Sequence, residues 1–194
     1  MSNRHHTELP LLSKDLAAPR AADLLKSAHA KMGFVPNMYT AMAHSPGLLE
    51  TYLQGYERFR AASGFTPAEQ DVVFLTISFV NGCSYCMAAH CFISDKMTHV
   101  PDAVLAALRA GTMIPDGKLR VLSEFTSRLM RSQGWPSQED VGAFLKAGYT
   151  EQKILEVILA IAVKTLSNYT NHLFDTPIDP AFRSRQWSAP TPTI

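Results

Sequence analysis

Two thiols and an imidazole fall within one eight-residue stretch of the chain, at Cys83, Cys86 and His90. On an α-helix, positions three and four residues apart are neighbours on the surface. At about 100° per residue, Cys86 and His90 lie roughly 60° and 20° to the same side of Cys83. Thiols held this close can open and close a disulfide, with the imidazole beside them to move a proton. The spacing therefore predicts thiol redox chemistry.

Three features of this stretch favour a reactive thiol. A thiolate in the first turn of a helix is stabilised by the helix N-terminus, which lowers a cysteine pKa. His90 lies one turn beyond Cys86, so it can take the thiol proton or return it to a leaving group. The partner thiol can convert a sulfenic acid into a disulfide before further oxidation.

The same residues allow two other interpretations. Cysteine packs as a small hydrophobe, so Cys83 and Cys86 can be core residues. Alternatively, both thiols and His90 can be three zinc ligands. Structural zinc sites usually draw ligands from two separated segments, and the sequence has no second Cys-x-x-Cys and no His-x-His. Cys91 points about 80° to the other side of Cys83 and is expected to be a packing residue.

The bulk composition predicts a well-packed globular protein. The chain has 194 residues, of which 46% are hydrophobic and 18% charged, and this is enough for a substantial core in one domain. We expect a single domain over residues 1–194, with its core at about 9–176 and an extended tail at 177–194. The formal net charge of +1 gives no argument for nucleic acid or an anionic membrane as a partner.

Localisation and redox state are predicted from the termini and the cysteine count. The start, Met1 to His6, is polar and lacks the apolar region of a secretory signal. The longest apolar stretch, 154–166, contains Glu156 and Lys164 and is too short to span a bilayer. These features predict a cytoplasmic protein. Three cysteines within nine residues are too few for a disulfide scaffold, and a close pair in the cytosol is redox-active or metal-binding.

Helix signals dominate and strand signals are nearly absent, which predicts an all-α fold. Ser45-Pro46 is typical of an N-cap with proline at the first helical position, and predicts a helix to about Ala62. Thr66-Pro67-Ala68-Glu69 adds a capping box to the same pattern. The break at Asn81-Gly82 predicts a second helix with Cys83 in its first turn. Further helices are predicted at 18–32, 101–110, 117–132, 137–147 and 150–174, with a division of the last near Ser167 as an alternative.

An internal repeat is suggested by an ungapped alignment of residues 69–92 with residues 151–174. Both segments begin with Glu-Gln and end in Phe, His90 aligns with His172, and the apolar positions between them largely agree. Only the first segment carries thiols. The alignment predicts two similar helical hairpins. The alternative is that the segments are unrelated core helices, which agree only because buried helices are rich in apolar residues.

The stretch from Asn81 to His90 resembles the core motif of the AhpD-like alkylhydroperoxidases, in the carboxymuconolactone decarboxylase superfamily. The pattern of that family places an acidic residue twelve positions before the first cysteine of Cys-x-x-Cys-x-x-x-His. In this chain that residue is Asp71, where the family usually has glutamate. Segments at 33–37, 43–46 and 168–172 are similar to a peroxidase-related branch, so the resemblance covers about residues 9–182.

The resemblance implies an AhpD-like helical bundle and a role for each motif residue. Cys86 attacks the peroxide, Cys83 resolves the product, His90 relays the proton and Asp71 is the acidic end of the relay. By analogy with thioredoxin, the first cysteine of the helix, Cys83, would be the nucleophile. The choice between the two thiols therefore stays open. Aspartate is one methylene shorter than glutamate, which leaves either a direct contact with His90 or a water bridge.

The predicted function is a thiol-dependent (alkyl)hydroperoxide reductase, an antioxidant oxidoreductase that uses peroxide as acceptor and needs no metal, flavin or haem. A dithiol donor, either a small molecule or a protein, regenerates the reduced pair. The resemblance also implies a homo-oligomer, commonly a trimer or hexamer. Two alternatives are kept. One is a carboxymuconolactone decarboxylase-type enzyme for a lactone acid, against which the thiol pair argues. The other is a non-enzymatic thiol sensor that oxidises without useful turnover.

Overall fold

A computed structural model of the chain describes residues 5–190, which form nine α-helices and two shorter helical turns without a β-strand. The predicted all-α fold is confirmed. A π-helical turn, Ser94–Thr98, follows α5 directly, and a 3-10 turn, Pro180–Arg185, lies near the C-terminus. The α-helices are α1 Pro19–Met32, α2 Asn37–Met42, α3 Pro46–Ala62, α4 Pro67–Val80, α5 Ser84–Ile93, α6 Asp102–Ala110, α7 Gly117–Arg131, α8 Gln138–Lys146 and α9 Glu151–Phe174.

The starts of α3 and α4 follow from their local sequences. The Thr66 hydroxyl accepts a hydrogen bond from the Glu69 backbone N–H at 3.2 Å, and the Glu69 carboxylate accepts one from the Thr66 N–H at 2.9 Å. This confirms the predicted capping box of α4. Ser45 occupies the N-cap position of α3, but its side chain makes no capping hydrogen bond. Pro46, which presets a helical φ at the first position, therefore contributes more to that start.

Helix α4 forms the centre of the protein. Every residue from Glu69 to Ser78 is buried, and the helix packs against α5, α7 and α9. One hydrophobic cluster joins α4 to α6, α7 and α8, and a second joins α1, α2 and α3 to α5. Cys83 and Cys86 belong to the second cluster, so the thiols lie in the interior. Within residues 5–190, no helix combines the length and the hydropathy that crossing a membrane requires.

The second segment of the predicted repeat forms one helix and not a hairpin. Residues 69–92 are divided between α4 and α5 at Gly82, which has a φ of +66° that glycine adopts without a steric penalty. The aligned position in α9 is Lys164, which continues the helix. Residues 151–174 therefore form a single 24-residue helix, and the division considered near Ser167 is absent.

The described part of the segment after α9 packs against the rest of the protein and contains the 3-10 turn. Phe182, in the 3-10 turn, is 6% exposed, and the Trp187 indole N–H donates to the Arg109 carbonyl at 2.7 Å. The Phe182 ring packs against Phe34, Tyr85 and Phe92, with centroids 6.0, 6.0 and 5.4 Å away. Burial of these two aromatic side chains holds the segment in place. Residues 191–194 of the predicted tail and residues 1–4 of the predicted polar start lie outside the described residues.

Candidate active site

The turn between α4 and α5 positions both thiols. Cys83 occupies the N-cap position of α5, just outside the first turn in which it was predicted, and Cys86 is the third residue of the helix. Both side chains are buried, at 1% and 2% exposed, and no disulfide joins them. The structure therefore brings the two thiols together at the N-terminal end of a helix, in the reduced state.

The two thiols have opposite electrostatic environments. Burial alone raises the pKa of Cys86, but the hydrogen bond from Cys83 and the positive charge of Lys164 outweigh it and bring the pKa well below its usual value. The same hydrogen bond, together with burial, raises the pKa of Cys83. The charge of the pair is thus held on Cys86, and Cys83 stays protonated.

An amide from α9 also faces the thiols. The Asn171 side-chain N–H donates to the sulfur of Cys86 at 3.3 Å and lies 3.8 Å from the sulfur of Cys83. The Cys86 sulfur lies 3.8 Å from the Ser167 hydroxyl. A donor aimed at Cys86 stabilises a thiolate there. Asn171 belongs to the predicted family-like segment at 168–172, but no feature of the sequence indicated that it contacts a sulfur atom.

His90 and Asp71 are in direct contact. The His90 Nδ1 lies 2.9 Å from the Asp71 Oδ1, so aspartate reaches the ring without a bridging water. Burial works to raise the pKa of Asp71, but the hydrogen bond and charge of His90 and the charge of Arg60 lower it overall. An ionised carboxylate only accepts hydrogen bonds, so the neutral His90 ring carries its proton on Nδ1. In this tautomer Nε2 is unprotonated and its lone pair can accept a proton.

His90 is neutral at physiological pH. Burial and the charge of Lys164 lower its pKa to about 4, against the opposing influence of Asp71. A buried neutral imidazole with a free Nε2 can accept a proton and pass it on. The ring also packs at 4.9 Å from the Phe74 ring, which fixes its orientation.

Asp71 accepts hydrogen bonds from two further side chains. The Arg60 guanidinium donates to its Oδ1 at 2.5 Å, and the Thr98 hydroxyl donates to its Oδ2. Arg60 comes from α3, and Thr98 is the last residue of the π-helical turn after α5. The π-helical turn positions Thr98 beside the Asp71 carboxylate, and such turns often occur at functional sites.

Lys164 is the unexpected charge of the site. Its side chain lies in the middle of α9, its residue is 0% exposed, and its Nζ has no hydrogen-bond partner among the described residues. The Nζ lies 5.6 Å from the centroid of the Phe74 ring. The charge of Lys164 lowers the pKa of both Cys86 and His90.

A small internal chamber adjoins the reactive groups. Its cavity volume is about 110 Å³, which gives room for several water molecules or a small organic group. Cys86, His90 and Lys164 contribute to its wall. The rest of the lining is mainly aromatic and aliphatic: Met32, Pro36, Met38, Tyr39, Tyr52, Tyr56, Tyr85, Ala89, Ile93 and Phe182. The surroundings of Cys86 in this chamber are therefore mainly apolar.

A larger groove of about 400 Å³ lies between α1 and α3. Met32, Tyr39 and Tyr56 border both the groove and the chamber, so the two cavities are adjacent. Met32, one of the shared residues, is 42% exposed. The groove therefore adjoins the chamber at the surface of the protein.

Cys91 and two further histidines do not line the chamber. Cys91 is buried against the Arg109 guanidinium at 3.3 Å and belongs to the other hydrophobic cluster, away from the chamber lining. His44 contacts the Pro10 carbonyl at 2.7 Å, and exposed His172 stacks on Tyr169. Within residues 5–190, no group of three His, Cys, Asp or Glu side chains is arranged to hold a metal ion.

No protein-family model and no curated protein sequence matches this chain. Its fold is similar to that of several solved structures. The AhpD core of an uncharacterized peroxidase-related protein from Ralstonia eutropha JMP134 has a TM-score of 0.78 at 19% identity, over 90% of this chain and 93% of that one. An uncharacterized peroxidase-related protein from Silicibacter sp. TM1040 has a TM-score of 0.75 at 17% identity, over 95% and 99% of the two chains.

A third similar structure is a cysteine-to-alanine variant of the debrominase Bmp8 in complex with 2,3,4-tribromopyrrole. Its TM-score is 0.73 at 20% identity, over 93% of this chain and 96% of that one. The predicted AhpD-like fold is therefore confirmed. At these identities the likeness concerns the fold alone, so the chemistry of this chain has to be argued from its own residues.

Proposed function

We propose that this protein is a thiol-dependent reductase of organic hydroperoxides. The observation that carries the proposal is the position of Cys86 in the chamber wall, where the Asn171 side-chain N–H donates to its sulfur at 3.3 Å. The pKa of Cys86 is lowered and that of Cys83 is raised, which agrees with a thiolate on Cys86. A thiolate at a cavity is a strong nucleophile, and a protonated neighbour can resolve its oxidised product, so these features support Cys86 as the attacking residue.

The first step oxidises Cys86. The thiolate attacks the terminal peroxide oxygen, a sulfur–oxygen bond forms, and the oxygen–oxygen bond breaks with both electrons on the departing alkoxide. Cys86 becomes a sulfenic acid, and the alkoxide takes a proton from solvent to leave as an alcohol. The two-electron oxidation of sulfur balances the reduction of the peroxide.

The second step forms the disulfide. The Cys83 sulfur attacks the sulfenic sulfur of Cys86, and hydroxide departs. His90 Nε2 relays the Cys83 proton to this hydroxide, which leaves as water, and Asp71 stabilises the transient imidazolium. A dithiol donor then reduces the Cys83–Cys86 disulfide by exchange and is itself oxidised. The cycle consumes one hydroperoxide and one dithiol per turnover.

Single cysteine variants test the proposal. We expect Cys86→Ser to abolish peroxide consumption with dithiothreitol, and Cys83→Ser to accumulate a sulfenic acid on Cys86 that dimedone traps. Cys91→Ser is the matched control, because it removes a buried thiol away from the chamber, and it should keep the wild-type rate. Full activity in both Cys83→Ser and Cys86→Ser would refute the proposal, and a single slow oxidation without turnover would favour a thiol sensor.

The aromatic chamber favours a second candidate, the reductive dehalogenation of a small aromatic ring. Four tyrosines lie beside Cys86, and one similar structure holds a brominated pyrrole. In this reaction the Cys86 thiolate takes the halogen, the ring carbanion takes a proton, and attack by Cys83 on the sulfur releases halide and forms the disulfide. Bromide release from 2,3,4-tribromopyrrole, measured beside cumene hydroperoxide consumption, distinguishes the two reactions by rate.

A further inference from the structure

The charges buried around the site form two compensated pairs. Asp71 is balanced by Arg60, from which it accepts a hydrogen bond at 2.5 Å, and its remaining acceptor sites serve His90 and Thr98. The Asp71 carboxylate is therefore fully engaged. The second pair consists of the Cys86 thiolate and the Lys164 ammonium, whose charge stabilises it. Charges buried in a protein interior require such compensation, because their loss of hydration is costly.

Oxidation breaks only the second pair. When the Cys83–Cys86 bond forms, Cys86 becomes neutral, and Lys164 loses its counter-ion. The Lys164 Nζ has no hydrogen-bond partner among residues 5–190, and its side chain is fully buried in the wall of the chamber. The chamber has room for a small ion, and the residues that line it include no aspartate or glutamate.

We propose that the Lys164 end of the chamber is a binding site for a small monovalent anion, available when Cys83 and Cys86 form a disulfide. The ligand class is a small monovalent anion such as a halide, including the halide that the dehalogenation reaction would release from the Cys86 sulfur. In the reduced protein the Cys86 thiolate excludes this ligand. The inference rests on the dithiol chemistry proposed above, but not on peroxide as its oxidant.

Linkage between redox state and anion binding gives a test on the unaltered protein. Bromide that binds only the oxidised state shifts the thiol–disulfide equilibrium with dithiothreitol toward the protein disulfide. The expected shift is about tenfold when bromide is at roughly ten times its dissociation constant, which for a two-electron couple is about 30 mV. An equilibrium that is independent of bromide overturns the proposal.

Comparison of Lys164→Met with Lys153→Met tests whether bromide binds at Lys164. The proteins are oxidised with diamide, which takes two electrons from the thiol pair and becomes a hydrazine, with one proton from Cys83 and one from solvent. We expect bromide to raise the melting temperature of oxidised wild type, but not that of the reduced wild type or of oxidised Lys164→Met. Lys153→Met is the matched control. Lys153 is on the same helix, but its Nζ lies over the Phe65 and Tyr149 rings. Bromide should therefore raise the melting temperature of oxidised Lys153→Met as it does that of oxidised wild type.

Each outcome of these measurements decides the question. Equal stabilisation of reduced and oxidised wild type means that bromide binds elsewhere, and refutes the proposal. Release of a proton from Lys164 on oxidation, without a response to bromide, refutes it as well. If Lys164→Met does not fold, the equilibrium of the wild type still decides. Because diamide replaces peroxide, a protein that responds to bromide but consumes no hydroperoxide retains the anion site and loses only the proposed function.

Discussion

The Nδ1 of His90 lies 2.9 Å from the Oδ1 of Asp71, and the same carboxylate accepts hydrogen bonds from Arg60 and Thr98. One buried aspartate on α4 therefore connects α3, α5 and the π-helical turn. It fixes the His90 tautomer, orients the ring, and balances the guanidinium charge. Removal of its carboxylate would therefore affect both the stability of the protein and the proposed proton relay.

Removal of the Asp71 charge should affect both roles. Asp71→Asn leaves Arg60 without its counter-ion in a partly buried position, and we expect a loss of about 3 kcal/mol in the free energy of unfolding. Asp71→Glu is the matched control, because it retains the charge and restores the residue that the motif usually carries. Urea unfolding measures stability, and the rate of disulfide formation measures the relay. Equal stability of Asp71→Asn and wild type would contradict this account of the carboxylate.

The depressed pKa of His90 predicts a pH dependence of stability. An unfolded histidine binds a proton below about pH 6.5, whereas the folded residue binds one only near pH 4. Between these values the unfolded state binds more protons, so the free energy of unfolding falls as the pH falls. The full difference is about 3 kcal/mol at 1.36 kcal/mol per pKa unit.

Thermal or urea unfolding between pH 4 and 7 checks this dependence. Glutamine does not titrate, so in His90→Gln the part of the pH dependence of the unfolding free energy that comes from His90 should disappear. The stability of this variant at pH 7 is expected to be lower than that of wild type. His29→Gln is the control, because it removes an exposed histidine from another helix, α1, and it should retain the wild-type dependence of stability on pH. A slope that persists in His90→Gln would assign it to other groups.

The positions of Cys83, Cys86 and His90 relative to one another could be predicted from the sequence because a motif places them close along the chain. Cys83, Cys86 and His90 are positioned by one helix, and the adjacent helix α4 carries Asp71. Lys164 could only be seen as an interruption of an apolar stretch, since a lysine inside a helix usually marks its solvent-exposed side. Its burial depends on the packing of α3, α4 and α5 around α9.

Thr98 and Phe182 were missed for a similar reason. Thr98 reaches Asp71 only because α5 continues into a π-helical turn, for which the sequence has no clear signal. Phe182 lies in a proline-containing segment with little periodicity, and its position depends on aromatic rings distant in sequence. An apolar residue between prolines was the only available sign that this segment is docked.

The docked C-terminal segment depends on a contact between Tyr85 and Asp179. The Tyr85 hydroxyl donates to the Asp179 carboxylate, which also accepts a hydrogen bond from the Asn37 backbone N–H at 3.2 Å. In Tyr85→Phe the buried carboxylate loses one donor, so we expect a loss of about 1–3 kcal/mol in stability and faster amide exchange over 180–187. Exposed Tyr169→Phe is the control, and it should change neither. Unchanged exchange in Tyr85→Phe would mean that aromatic packing alone holds the segment.

The close packing of α3 on α9 provides a prediction about the shape of the chamber. A Cβ at Gly55 would lie 2.7 Å from the Cγ2 of Val163, the residue before Lys164. Val163 is buried and its branched side chain has little rotational freedom, so α9 must move to accommodate an alanine. We expect Gly55→Ala to destabilise the protein by about 1–3 kcal/mol and to slow the oxidation of Cys86.

Two companion variants separate this clash from a general effect of alanine. In Gly142→Ala the new Cβ meets no atom within 4 Å, so the helix preference of alanine should leave stability unchanged or raise it by about 1 kcal/mol. Val163→Ala removes the methyl group that Gly55→Ala would meet, and the double variant should therefore lose less stability than the sum of the two single variants. Strict additivity in this cycle would show that the two positions do not clash, and that another cause must explain the glycine on α3.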